Sequence, residues 1–347
     1  MDRLSFFKQG LSSVLEATSS LIGIKKAADS FTEAVNDGLS EGRTNIGIHL
    51  PSLDNEMYAG AETTLDTIGQ LGFTAIEVSA FYRGKVHLLP PAEFKALAKT
   101  AGLKITAAYL TKGPTLTPEE RANYASSKAE TEENVEQESR NTGDNENPTV
   151  EPAEINNPKQ VKDPDTEWWE EAIETYKQLG CKYLSLAYQP EGDGDKAIYD
   201  FVAYVNLIKA IATKEGMQLC FHPTTATLLP QNGVSALDKI AERCDAETLL
   251  LEIDTFEAEQ AGIDARELMK HFGKRVALLH LHDEYNVGDS GRIDFDATIK
   301  DASRLGIENI YIEVHNFVQP PINCIEKSIY YVESLPSINY YPRPNNS

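Results

Sequence analysis

The stretch from Leu249 to Asp283, LLLEIDTFEAEQAGIDARELMKHFGKRVALLHLHD, constrains the fold more than any other part of the chain. Leu249 to Ile253 is an apolar run too short for a helix, and it stops at Asp254. A helix is predicted from Gly262 to His271, with Ile263, Leu268 and Phe272 at helical spacing and Gly273 as its stop signal. Val276 to Leu281 is the next strand and ends among histidines. Two strands joined by a helical crossover run parallel, so Asp254 and His280 are expected at the same, carboxyl-terminal, end of a sheet. Ligands bind at that end in such folds.

The same rhythm extends over the chain from Asn45. The other predicted strands are Ile46 to Leu50, Ala75 to Ser79, Lys104 to Tyr109, Tyr183 to Ala187, Gln218 to Phe221 and Ile310 to Val314. Predicted helices between them are punctuated by Gly72, by Pro90 and Pro91, by Gly102, Gly180, Gly216 and Gly306, with Thr166 as a candidate cap for the third. A final helix covers about Ile322 to Glu333. Eight strands alternating with eight helices specify a parallel sheet covered by helices, and the count favours closure into a (β/α)8 TIM barrel, which needs about 250 residues. No GxGxxG or GxxxxGK[ST] follows any of these strands, so the dinucleotide and P-loop readings lose their main support.

Two segments stand outside the rhythm. Residues 1–44 read as an N-terminal amphipathic helical extension. They begin like a twin-arginine export leader, but Asp2 stands where the first arginine belongs, and Glu16, Lys25 and Lys26 interrupt the apolar region. A cytoplasmic location is therefore expected, with export through this degenerate leader as the alternative. Residues 115–165 after strand three form a long acidic insert, crowded with Glu, Asn, Asp, Ser, Thr and Pro, and too polar to fold by itself. It reads as a solvated insert, with a lid over the barrel mouth as the rival. The barrel then occupies 45–336 and a tail 337–347.

Charge narrows the partners. The 347 residues carry a formal net charge of -22, which argues against nucleic acid as partner and suits a metal or a cationic cofactor. No apolar run approaches the roughly 20 residues that span a bilayer. The four cysteines are widely separated with no CxxC pair, as expected of small core residues.

A barrel mouth is lined by the ends of its strands. Polar residues there are His49, Glu77, Tyr109, His222, Asp254, His280, His282, Glu313 and His315, a set that includes every histidine except His87 and His271. Carboxylate oxygen mixed with imidazole nitrogen suits a divalent metal ion, whether Mn²⁺, Zn²⁺, Co²⁺ or Mg²⁺. Asp254, His280 and Glu313 are the candidate ligands. Strand alternation turns His280 and His282 to one face and Leu279 and Leu281 to the other, and likewise sets Tyr311, Glu313 and His315 against Ile312 and Val314. Glu77, His222, His282 and His315 are candidate substrate contacts. Tyr109 reads as packing, and His49 stays open between a ligand contact and a solvated histidine.

These residues resemble the xylose isomerase-like TIM barrels, especially the sugar phosphate isomerase/epimerase group. The resemblance spans about Asn45 to Leu335 without the insert, and rests on LEIDTF, HLHD at His280 to Asp283, GRIDF at Gly291 to Phe295 and IEV at Ile312 to Val314. It implies a divalent ion held by a glutamate after strand five, an aspartate after six, a histidine from seven and a glutamate from eight. The last three fall on Asp254, His280 and Glu313. The first does not, because where relatives read roughly HNHxxEF this chain has HPTTATL, with Thr224 at the second histidine and Thr227 at the glutamate. Threonine is no base near neutral pH and a poor metal ligand, so His222 or an acid from the insert must substitute if the chemistry persists. His282 also stands where the group usually has lysine.

The resemblance implies a metal-assisted isomerase or epimerase acting on a sugar or small polyol by proton transfer at adjacent carbons. Glu313 is then the catalytic proton carrier, and a homo-oligomer is compatible with the chain. The alternative is a catalytically degenerate barrel that binds a carbohydrate or protein partner. An endonuclease of the same superfamily shares the fold, but the acidic charge and depleted ligand set argue against it.

Overall fold

Alternation of apolar side chains along each strand, one set turned to the helices and the other inward, decides the architecture. The computed structural model describes residues 46–124 and 162–340, apart from 193, 232, 247 and 308. The predicted N-terminal extension, residues 125–161 of the insert and the end of the tail lie outside the described residues. In chain order the elements are β1 (Ile46–His49), α1 (Asp54–Leu71), β2 (Ala75–Val78), α2 (Pro91–Thr100), β3 (Lys104–Leu110) and α3 (Pro164–Leu179). There follow β4 (Tyr183–Leu186), α4 (Asp195–Lys214), β5 (Gln218–Phe221), α5 (Ala236–Arg243), β6 (Leu250–Asp254) and α6 (Ala265–Phe272). The chain closes with β7 (Val276–His282), α7 (Phe295–Leu305), β8 (Asn309–Glu313) and α8 (Pro321–Ser334). The eight strands form a closed parallel barrel in which β1 pairs with both β2 and β8. Among the described residues no helix is long and apolar enough to cross a membrane.

Outward strand residues such as Ile48, Ile76, Leu184, Ile253, Leu279, Leu281 and Ile312 pack under the helices in one large core. Inside the barrel a small second cluster of Ala107, Tyr183, Cys220, Leu278 and Tyr311 closes the lower half. Tyr311 explains a glycine: a Cβ built at Gly47 would lie 2.4 Å from the Tyr311 ring, so β1 passes the aromatic only without a side chain. Two residues further along β8, β7 and β1 the inward positions are Glu313, His280 and His49. The inner face thus turns from apolar to ionisable as the strands reach the mouth.

The register sets these side chains level with one another. His49 lies opposite Glu77, Asp254 opposite His280, and His282 opposite Glu313.

Two expectations need correction. Helix α3 is capped by Asp163, which accepts from the backbone N–H groups of Asp165 and Thr166, and not by Thr166. Pro164 has no N–H to lose and fixes φ, which moves the start ahead of Thr166. The crossover between β6 and β7 is two pieces, Thr255–Gln260 and α6, parted at Gly262 and capped separately by Asp254 and Asp264. Much of the described flanks of the insert is exposed, but one buried carboxylate ties them together. The buried Asp165 carboxylate accepts from the N–H of Thr115 at 2.8 and 2.9 Å, from Leu116 at 3.2 Å, from Lys112 at 3.0 Å and from Arg121 at 2.7 Å. The chain leaving β3 and the chain entering α3 are therefore clasped together. Behind them Trp169 Nε1 donates to Tyr204 Oη at 2.8 Å, and that hydroxyl donates to the Lys112 carbonyl at 3.0 Å.

Candidate functional site

At the centre of the polar residues inside the barrel is His280, fully buried on β7. Its Nε2 lies 2.9 Å from Glu77 Oε2 and 3.0 Å from Glu252 Oε1. Glu77 Oε2 also accepts from His49 Nδ1 at 2.6 Å, so one carboxylate holds two imidazoles, from β1 and from β7. Burial opposes the charge of Glu77, but His280 and His49 outweigh it and bring the carboxyl down to about 2. Glu252 behaves differently: burial and the neighbouring Glu77 charge push it up, and its other oxygen accepts from Ser185 Oγ. Glu77, a predicted substrate contact, thus lies beneath the histidines with no surface of its own.

With Nε2 engaged below, His280 turns Nδ1 toward the mouth. There it pairs with Glu313 Oε2 and lies 3.9 Å from Asp254 Oδ2. His222, at the end of β5, brings Nε2 to 3.9 Å from the same Asp254 oxygen. His222, Asp254, His280 and Glu313 each offer one donor atom, and the four donors lie within 4.8 Å of one another. Both ring nitrogens of His222 are buried without a hydrogen bond, and His280 Nδ1 and Glu313 Oε2 are buried with only each other as close partner. Leaving one such group unsatisfied costs about 1–3 kcal/mol, so several converging on one point are costly unless they share a partner. A divalent cation is a partner that satisfies all of them, and nitrogen with carboxylate oxygen is its usual donor set. The residues present therefore fit the metal.

Burial opposes ionisation of Glu313, yet His49 and His280 hold its carboxyl well below the ordinary range. Burial likewise opposes a charged His280, but Glu252, Glu313 and Glu77 together raise it well above an ordinary histidine. His282 Nδ1 is held by Asp254 Oδ2 at 2.9 Å. Burial disfavours its imidazolium, but Asp254 and then Glu313 raise its pKa to about 9. His315, half-exposed, places Nε2 against Glu313 Oε1. Tyr109 packs edge-on against His49 and His222, with ring centroids 4.6 and 5.4 Å away. Every strand-end residue picked from the sequence therefore falls in one contiguous cluster.

The threonines of the β5 loop are engaged elsewhere. Thr227 Oγ1 donates to the Thr224 carbonyl at 2.8 Å and lies 3.2 Å from Gln189 Oε1, while Thr225 Oγ1 donates to Glu257 Oε2 at 2.6 Å. Gln189 also donates to the His222 carbonyl at 2.7 Å, so it pins the loop that carries the histidine. His222 itself, and not an acid from the described flanks of the insert, completes the fourfold cluster. Glu252 is the residue sequence reasoning missed. Its signal was available, since Glu252 and Asp254 stand two apart on one strand, as His280 and His282 do.

A family model for the xylose isomerase-like TIM barrel matches residues 65–331. Among solved structures, the chain is similar to a sugar phosphate isomerase/epimerase from Parabacteroides distasonis ATCC 8503, with TM-score 0.66 and 19% identity over 85% of this chain and 98% of that one. It is similar also to a 3-keto-D-glucoside 4-epimerase from E. coli, with TM-score 0.58 and 14% identity over 84% of this chain and 100% of the other. A D-psicose 3-epimerase from Clostridium cellulolyticum H10 aligns with TM-score 0.54 and 15% identity over 84% and 99%. No curated protein matches the chain in sequence.

Proposed function

Because this chain belongs to the xylose isomerase-like TIM barrel family, we propose that it is a metal-assisted isomerase or epimerase acting on a sugar or small polyol derivative. One observation carries the reading: the convergence of four buried donor groups, from His222, Asp254, His280 and Glu313, with both ring nitrogens of His222 lacking a hydrogen bond. The sugar epimerases among its structural neighbours support the substrate class. A divalent ion held by these four residues would polarise a substrate carbonyl and its adjacent hydroxyl.

The protein's own groups do the rest. Glu77 and Glu252 hold Nε2 of His280, which fixes the tautomer that presents Nδ1 to the cluster. Glu313, the proton carrier expected from sequence, has Oε2 turned to His280 and Oε1 to His315, which suits it better to ligation. We assign the proton to His282. Its Nδ1 is fixed on Asp254, and no hydrogen bond engages Nε2 among the described residues. Asp254 and Glu313 hold a proton on this ring while their charge is uncompensated. Engaged as ligands they hold it less, and the imidazole can take a proton from one carbon and return it to the next near neutral pH. Tyr109 shields the inner wall of the pocket.

The test is solvent exchange. Protein loaded with Mn²⁺ or Co²⁺ is incubated in D₂O with a panel of keto-sugars, and deuterium entering the carbon beside the carbonyl is followed by NMR. Exchange that disappears on chelation and in His282→Asn supports the reading; a panel inert with every metal overturns it. Thr227 at the position of the relatives' glutamate favours a second reading, a barrel that binds carbohydrate without turnover. Sugar binding that survives chelation would select it.

A further inference from the structure

We propose that the mouth holds a second divalent cation, ligated by His49, Glu313 and His315, with Glu313 bridging it to the first. The inference rests on the metal-assisted reading above, since the two sites share one carboxylate. These three side chains each offer a donor atom, again within 4.8 Å of one another, and form a group distinct from the fourfold cluster. The two oxygens of Glu313 face different partners: Oε2 meets His280 Nδ1, and Oε1 meets His315 Nε2. A carboxylate presented in this way can ligate on both sides.

His49 has the geometry of a ligand histidine. Its Nδ1 donates to Glu77 at 2.6 Å, which leaves Nε2 as the atom with a free lone pair. Ligating histidines are usually held by a carboxylate in this manner, and Glu77 performs the same service for His280. One buried glutamate therefore orients one histidine for each site. Asp54 adds negative charge at the same rim, with Oδ1 making no hydrogen bond. Two imidazoles and one carboxylate suit Mn²⁺, Co²⁺ or Zn²⁺ better than Mg²⁺. The sites differ in access, because His222, Asp254 and His280 are buried whereas the side chain of His315 is 50% exposed. The second ion is accordingly the exchangeable one, placed where substrate oxygens can complete its coordination.

The experiment is a Mn²⁺ titration of the metal-stripped full chain, with free Mn²⁺ counted by electron paramagnetic resonance and bound Mn²⁺ examined for spin coupling. The wild type is expected to take up about two ions per chain with a coupled spectrum. His315→Ala, at a half-exposed position, should take up about one ion, uncoupled, with an unchanged melting temperature. A wild type that saturates at one ion, lost in Asp254→Ala and kept in His315→Ala, overturns the second site and leaves the first. Two ions that both persist in His315→Ala overturn it as well, and no uptake at all overturns both sites together.

Discussion

A side chain that carries a proton and one that holds an ion fail differently when replaced. His282→Asn is expected to lower turnover by about 10²–10⁴-fold while metal content stays unchanged, and Glu313→Gln to lose both. Steady-state kinetics beside elemental analysis separate the two roles, and a His282 variant of normal turnover would return the proton to another group. Asp165 invites a different test. Burial disfavours its charge, but Thr115, Arg121 and Lys112 hold it well below its ordinary 3.8. A carboxyl lowered on folding adds stability above its unfolded pKa, and that stability is lost as pH falls below 3.8 toward the folded value. Asp165→Asn should therefore cost roughly 3–5 kcal/mol at pH 7, and the gap to the wild type should close on acidification, as read by urea unfolding at several pH values. Much of the site was legible at this scale, because strand alternation alone turns His280, His282, Glu313 and His315 inward. Glu252 escaped because it sits inside an apolar run and not at its end, and the clasp of Asp165 escaped because its partners lie about fifty residues away in the chain.

Strands and helices were legible for a simpler reason. Short apolar runs bounded by glycine, such as Gln218–Phe221 after Gly216, favour strands, and glycines such as Gly180, at φ 98°, end helices where an L side chain is strained. What local pattern does not carry is how one loop is held by another, and Gln189 is the example. It fastens the loop after β4 to the loop after β5 through the His222 carbonyl, the Thr224 N–H and Thr227. Gln189→Ala should weaken Mn²⁺ affinity about 10–100-fold through a misplaced His222, with much less effect on the melting temperature. Calorimetric titration checks this, and unchanged affinity would show that His222 keeps its place without the clamp. Packing inside the barrel gives a second element-scale expectation. Gly47→Ala forces a methyl against Tyr311 and should destabilise by about 1–3 kcal/mol, measured by thermal unfolding.

Across the whole molecule, the barrel gathers acids and histidines from most of its strands at one end, and the cost of that gathering is electrostatic. In the metal-free protein His280 and His282 balance it as imidazolium ions, both raised on folding. A histidine raised on folding contributes stability that is complete below its unfolded pKa of 6.5 and lost as pH rises through its folded value, about 9 for His282. The metal-free barrel should therefore melt at lower temperature as pH climbs from 6.5 past 9, while metal-loaded protein, whose ligands have already released protons, should change less. The family resemblance conveyed the fold and three of the four donors, but not the fourth. In the proposed metal site His222 would stand in, from the end of β5, for the glutamate that the resemblance implies further along the loop, and only the three-dimensional arrangement brings its ring to Asp254. The most direct test of this account is the metal content of protein purified without chelator, beside the Asp254→Ala, His280→Ala double variant. Bound Mn, Co or Zn is expected in the wild type and none in the folded variant; a wild type that stays metal-free after incubation with Mn²⁺ and Zn²⁺ would rule out the metal site.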